Sequence, residues 1–125
     1  MTSPEYHLCV QVATYLKWKH PNVVFRFDMA GLNLSKAQAG KNKAIQFKRG
    51  YPDLFIAKPV HPFPGMFIEI KPEGTRMKKQ NGEWATPHIA EQAEMIRLLR
   101  IAGYCANFGI GYDNIIGLIE DYLKP

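Results

Sequence analysis

The stretch GYPDLFIAKPVHPFPGMFIEIKPEG, residues 50–74, decides how the chain is read. It holds two strongly apolar runs, DLFIAK and MFIEIK, joined by PVHPFPG, whose three prolines cannot donate in a ladder and mark a stiff turn. The reading that follows is a β-hairpin turning around His61–Pro62. Side chains alternate along a strand, so Phe67, Glu69 and Lys71 share one face while Met66, Ile68 and Ile70 turn the other way, into the core. On the preceding strand Asp53, Phe55 and Ala57 share a face. With matching faces, Asp53 falls beside Glu69 and Lys71. Charges on strands this apolar need either water or a chemical purpose.

Two carboxylates held that close drive each other's pKa upward unless a cation sits between them. An oxygen-rich pair suits magnesium or manganese, which keep several waters and take phosphate oxygens as further ligands. Such an ion lowers the pKa of a water and polarises a phosphodiester. An ammonium two residues on, Lys71, steadies both the nucleophile and the charge growing on the phosphate. The same residues also fit a cross-strand ion pair on a solvated face, which stabilises little. Glu5 and Gln92 bear on this choice. Glu5 lies on the apolar stripe of Leu8, Cys9, Val12 and Leu16, and Gln92 lies on that of Ile89, Ile96 and Leu99. Polar groups facing inward need partners, and the cluster on the sheet is one they could share. The ordinary alternatives are a helix-start carboxylate for Glu5 and a helix-edge residue for Gln92.

Outside the hairpin, Ser3, Pro4 and Glu5 start a helix, with a capping hydroxyl, a proline in the first turn and a carboxylate at the positive end. That helix ends near KHPN. NVVFRFDM, residues 22–29, reads as a strand. Residues 30–49 are small, basic and glycine-containing, and read as a long loop with a short strand at Ala44–Phe47. A second long polar loop, PEGTRMKKQNGEWATPH, follows the hairpin. IAEQAEMIRLLRIAG is a helix stopped by Gly103, YCANF a strand, GIGYD a turn, and the last helix is capped by Asp113 with Ile115, Ile116, Ile119 and Leu123 facing inward. The expected fold is α/β, a mixed central sheet flanked by helices in the order α-β-β-β-α-β-α, forming one domain over residues 1–125.

A chain of 125 residues is long enough for one domain with a core and too short for two. No apolar run approaches the roughly 20 residues that cross a bilayer, so no membrane role is expected. The N-terminal MTSPEYHLCVQVA lacks the pattern of a secretory signal. Cys9 and Cys105 read as buried thiols of a cytoplasmic, non-secreted protein, and not as a disulfide or a metal site. The net charge is +5, and its distribution matters more than its size. No acidic residue separates Asp28 from Asp53, while Lys36, Lys41, Lys43, Lys48 and Arg49 all fall there. Arg76, Lys78 and Lys79 form a second basic cluster after the EIK strand. Both clusters flank the carboxylate hairpin, as a footprint for a polyanion such as DNA would. Solubility lysines on a loop are the plain alternative.

The ordered set GYPDLFI, FIEIKPEG and HIAEQAEMIRLLRIAGY resembles the VRR-NUC (virus-type replication-repair nuclease) branch of the PD-(D/E)xK nucleases, and the resemblance covers essentially the whole chain. It implies a restriction-endonuclease-like core. It implies that Asp53, Glu69 and the backbone carbonyl of Ile70 ligate a divalent cation, magnesium or manganese, and that Lys71 orients or activates the attacking water. Glu5 would reach the site directly or through a water on the metal, and Gln92 would support it. Stand-alone members of phage type resemble archaeal Holliday junction resolvases, homodimers that cut symmetrical branched DNA. The loop between Lys71 and the glutamine helix is longer here than the family's usual spacing, and its basic residues and Trp84 either touch DNA or pack. A nucleic-acid-binding module without catalysis is the competing reading, served equally well by the basic clusters.

Overall fold

The structure, a computed structural model, describes residues 3–28 and 34–124. Its elements are α1 (Pro4–Lys19), β1 (Phe25–Phe27), α2 (Lys36–Ala44), β2 (Leu54–Ile56), β3 (Met66–Lys71), α3 (Pro87–Ile101), β4 (Cys105–Ile110) and α4 (Tyr112–Leu123). The four strands form one sheet in the order β1-β2-β3-β4. β1 and β3 each run antiparallel to β2, and β4 joins β3 in parallel. This is the expected mixed sheet with its helices in the expected order, plus one helix, α2.

The hairpin ladder is offset by one residue from the pairing of Val60 with Phe63 at its turn. Leu54, Phe55 and Ile56 face Ile68, Phe67 and Met66. Continuing that register by one residue sets Asp53 opposite Glu69. Val60 and Phe63 close the turn by exchanging hydrogen bonds of 2.9 Å in both directions, and the His61–Pro62 peptide between them is cis.

The sheet is covered on both faces. Leu8, Val12 and Leu16 of α1 and Ile115, Ile119 and Tyr122 of α4 pack on Met66, Ile68 and Ile70. On the other face Ile96 and Leu99 of α3 pack on Phe67, Ala106 and Phe108. β3, central and double-covered, is therefore buried at all six positions. Gly109 sets how near α4 can come: a Cβ there would stand 2.6 Å from Ile115 Cγ1 and 2.8 Å from Ile68 Cγ2. Ile68 is fully buried, so truncating it to alanine costs about 2–5 kcal/mol.

The helix ends are set locally. Ser3 Oγ accepts from the Tyr6 N–H at 3.1 Å, and Thr86 Oγ1 accepts from the Ile89 N–H at 3.1 Å, each ahead of a proline in the first turn. Gly103 stops α3 with φ at +102°. Glu120 of α4 ties down the far end of α1, accepting from the Tyr15 hydroxyl and bonding His20 Nε2, both at 2.7 Å.

Four local expectations are corrected. Residues 36–44 are helical, and Ala44–Phe47 is not a strand. Ser35 and Gln38 form a reciprocal capping box that starts α2, and that signal outweighs the low apolarity on which the loop reading rested. Asp113 does not cap α4. Gly111 holds the cap position at φ +82°, and Asn114 Oδ1 accepts from the Ile110 N–H at 2.8 Å. Gly109 and Ile110 belong to β4, not to a turn. Cys9 and Cys105 are free thiols, as expected, but only partly buried. Met29 of the first expected strand and residues 30–33 of the expected loop lie outside the described residues. None of the helices of the described residues is long and apolar enough to cross a membrane.

Candidate metal centre

Three elements deliver carboxylates to one point. Asp53 enters from the turn ahead of β2, Glu69 from the middle of β3, and Glu5 from the first turn of α1. Ligand oxygens of the three all lie within 4.8 Å of one another. Glu69 is 2% exposed and Lys71 8% exposed on the same face of β3. The sequence expected these two side chains together, and the structure adds that water does not cover them.

Asp53 is held from both ends. Its Oδ2 accepts from the Ile70 N–H at 2.9 Å, and its backbone carbonyl accepts from the Asp28 N–H at 2.7 Å. A strand residue points its N–H and C=O to the same side. The Ile70 carbonyl therefore faces the Asp53 side, beyond the start of β2, while the Lys71 carbonyl accepts from the Gly111 N–H on the β4 side.

The turn into Asp53 rests on α3. Gly50 has φ at +91°, and a Cβ there would lie 2.9 Å from the Glu91 carbonyl oxygen and 3.2 Å from the Gln92 nitrogen. Only glycine fits both the left-handed backbone and that approach. Gln92, 5% exposed, thus sits beside the segment that carries Asp53.

Electrostatics describe a site short of positive charge. Burial, then the hydrogen bond and charge of Asp53, push the Glu69 carboxyl up to about 11, with Lys71 pulling the other way. Glu5 is raised by burial and then by Asp53, again against Lys71. The Cys9 thiol is pushed up to about 12, first by burial and then by the charges of Asp53, Glu5 and Glu69, so it is no nucleophile here.

Two buried side-chain atoms among the described residues have no hydrogen-bond partner, Glu69 Oε1 and Gln92 Oε1. Both are acceptors. What they lack is a donor or a cation, and a hydrated divalent ion supplies both kinds of contact. All-oxygen carboxylate and carbonyl donors suit magnesium or manganese better than softer metals. The residues present therefore fit a divalent cation.

Two features were not in the sequence reading. His88 Nε2 lies 3.2 Å from Gln92 Nε2, so a neutral His88 accepts from the amide and turns its oxygen inward; the i, i+4 spacing on α3 was the available signal. The expected 72–88 loop gives its last two residues, Pro87 and His88, to α3, and the rest is tied by its own backbone hydrogen bonds. Lys78 and Trp84 bridge, Lys79 N–H donates to the Glu83 carbonyl, and Ala85 N–H donates to the Met77 carbonyl. Trp84 packs on Phe108 at 5.8 Å, with Lys78 Nζ 4.9 Å over its ring, so packing is its role in the fold.

All eight expected DNA-contacting cations are exposed. Lys36, Lys41 and Lys43 stand on α2, and Lys48 and Arg49 on the segment leading to Gly50. Arg76, Lys78 and Lys79 stand on the loop after β3. Arg49 approaches Glu91 at 3.9 Å, which places the end of the first cluster against α3.

No family model matches the chain, and no curated protein does. Among solved structures, the chain is similar to one described as a VRR_NUC domain protein, at 30% identity and a TM-score of 0.65, over 98% of this chain and 90% of that one.

Proposed function

The chain belongs to the VRR-NUC family of nuclease domains, and from that premise we propose that it is a divalent-metal-dependent endonuclease that hydrolyses phosphodiester bonds in branched or otherwise structured DNA. The observation that carries the reading is the cluster of three carboxylates within 4.8 Å, one of them buried with an acceptor atom left unpaired. A module that only binds DNA has no use for charges of this cost.

Asp53, Glu69 and the Ile70 carbonyl would hold the ion, with Glu5 closing the acidic side. When bound, magnesium or manganese supplies Lewis-acid polarisation of the scissile phosphate and acidifies a nearby water. Lys71, buried beside Glu69, orients the attacking water and offsets the negative charge that grows on the phosphate. In so dry a site its ammonium acts more strongly than it would in solvent. Gln92, held by His88, presents an oxygen that accepts a hydrogen bond from a water and so fixes its direction. Lys36, Lys41, Lys43, Lys48, Arg49, Arg76, Lys78 and Lys79 bind the backbone phosphates.

Cutting two strands of a symmetrical junction takes two copies related by a twofold axis, so the working form is a homodimer. The free thiols fit a reducing, cytoplasmic setting. The test is a cleavage assay over labelled duplex, flap, single-stranded and four-way-junction DNA, with magnesium, manganese or chelator. Metal-dependent internal cuts, favouring branched substrates, are expected. No cleavage of any substrate with either ion sinks the reading.

A further inference from the structure

Ile45 and Phe47 are large apolar side chains left 81% and 76% exposed. They follow the C-terminal end of α2, whose own residues include none that is buried. They stand among cations: Lys41 and Lys43 in the last turn of α2, then Lys48 and Arg49. Lys48 Nζ lies 5.2 Å from the centre of the Phe47 ring. Three residues beyond Phe47 comes Gly50, whose backbone is seated on the Glu91–Gln92 turn of α3, and three beyond that comes Asp53. The exposed ring is therefore joined to the candidate metal centre by a short segment fixed at its far end.

The surroundings choose the partner. A protein surface that covers two apolar side chains would have to bury or neutralise the cations around them, whereas a polyanion with flat apolar faces satisfies both at once. Nucleobases are such faces, and they become available where the duplex is interrupted. Resting on the nuclease reading above, we propose that Phe47, with Ile45 two residues before it, is a stacking platform for an unpaired or unstacked base of the DNA, while Lys41, Lys43, Lys48 and Arg49 take the adjoining phosphates. The contact makes the chain prefer discontinuous DNA over intact duplex and holds the discontinuity near Asp53. Base stacking of this kind carries no sequence preference, because every base has a π-face.

The test measures binding with chelator present, so that it does not depend on cleavage. The probes are an intact duplex and the same duplex with a short gap bearing 2-aminopurine. Phe47→Ala is expected to weaken the gapped probe about tenfold, to change the intact duplex by less than twofold, and to abolish the quenching of 2-aminopurine by the parent. The salt slope stays as in the parent, because no phosphate contact is lost. Phe47→Trp keeps the preference, and Ile45→Ala weakens it in part. Equal loss on both probes, or no loss on either, overturns the proposal. So does a drop in molecular mass on sedimentation of Phe47→Ala, which would make the patch a contact between protein copies. A gap preference in a chain that cuts nothing would leave this inference standing and remove the nuclease reading.

Discussion

β3 and the segment after α2 break the same rule in opposite directions. β3 hides Glu69 and Lys71 among Met66, Phe67, Ile68 and Ile70 in the most covered strand of the sheet. The segment at 45–47 does the reverse, placing Ile45 and Phe47 in solvent among lysines. Each inversion costs free energy that a purely structural role would avoid, through a desolvated charge in one place and uncovered apolar surface in the other. The two also differ in kind. The buried charges sit on a strand clamped by neighbours on both sides, as a reacting centre demands. The exposed Ile45 and Phe47 side chains sit on a lightly packed segment, as a surface that accommodates a variable substrate demands. In the proposed function, chemistry falls to the buried inversion and recognition to the exposed one.

This division breaks most visibly at Lys71 and Asp53. Lys71→Ala and Asp53→Asn are each expected to lower single-turnover cleavage by at least about 100-fold while leaving circular dichroism and most DNA affinity unchanged. A variant that cuts like the parent would strip these residues of their roles. The recognition side yields to charge removal: Lys41→Ala, Lys43→Ala and Lys48→Ala together should weaken binding to all DNA forms and reduce the slope of log K against log salt by about 2–3. An unchanged slope would place the phosphates elsewhere.

Glu5 tests the edge of the buried site. Glu5→Gln removes one of three converging carboxylates and should weaken manganese affinity by about tenfold, read by calorimetry; unchanged affinity and activity would leave Glu5 as a helix-start residue only. The last effect is on stability. Burial raises Glu69 from 4.5 to about 11 in the metal-free protein, so the folded state holds a proton that the unfolded state releases. The stability contributed by that proton is complete below the ordinary carboxyl range and is lost as pH climbs toward the raised value. Glu69→Gln has no such proton, so metal-free melting temperatures of parent and variant should diverge from pH 5 to pH 9, the variant falling less. Parallel curves would mean that Glu69 is not isolated from water.

How much of this was legible in the sequence depends on the physics at each point. The hairpin was legible because period-2 alternation and a proline-rich turn leave few alternatives, and they set Asp53 beside the Glu69–Lys71 region. The exact register was not, because counting back from Val60 and Phe63 at the turn puts Asp53 opposite Ile70, one residue off the observed ladder. Glu5 and Gln92 were legible as polar residues on apolar helical stripes. Helix α2 was missed because its residues, KAQAGKNKA, bury nothing and show no apolar period, and only the Ser35–Gln38 capping box announced it. The Asp113 cap failed because Gly111, with its positive φ, made the turn one residue pair earlier. His88 was missed because its partner is polar, and apolar patterning is blind to such pairs. The exposure of Phe47 was beyond the sequence, because an isolated aromatic in a basic run reads equally well as packed or free.

The central claim is that Asp53 and Glu69 converge on a divalent ion. Calorimetric titration of manganese into the parent chain and into Asp53→Asn, at two pH values, tests it most directly. Saturable binding by the parent that tightens as pH rises and is lost in the variant is the expected result. Binding of equal strength by both proteins, or by neither, would contradict it.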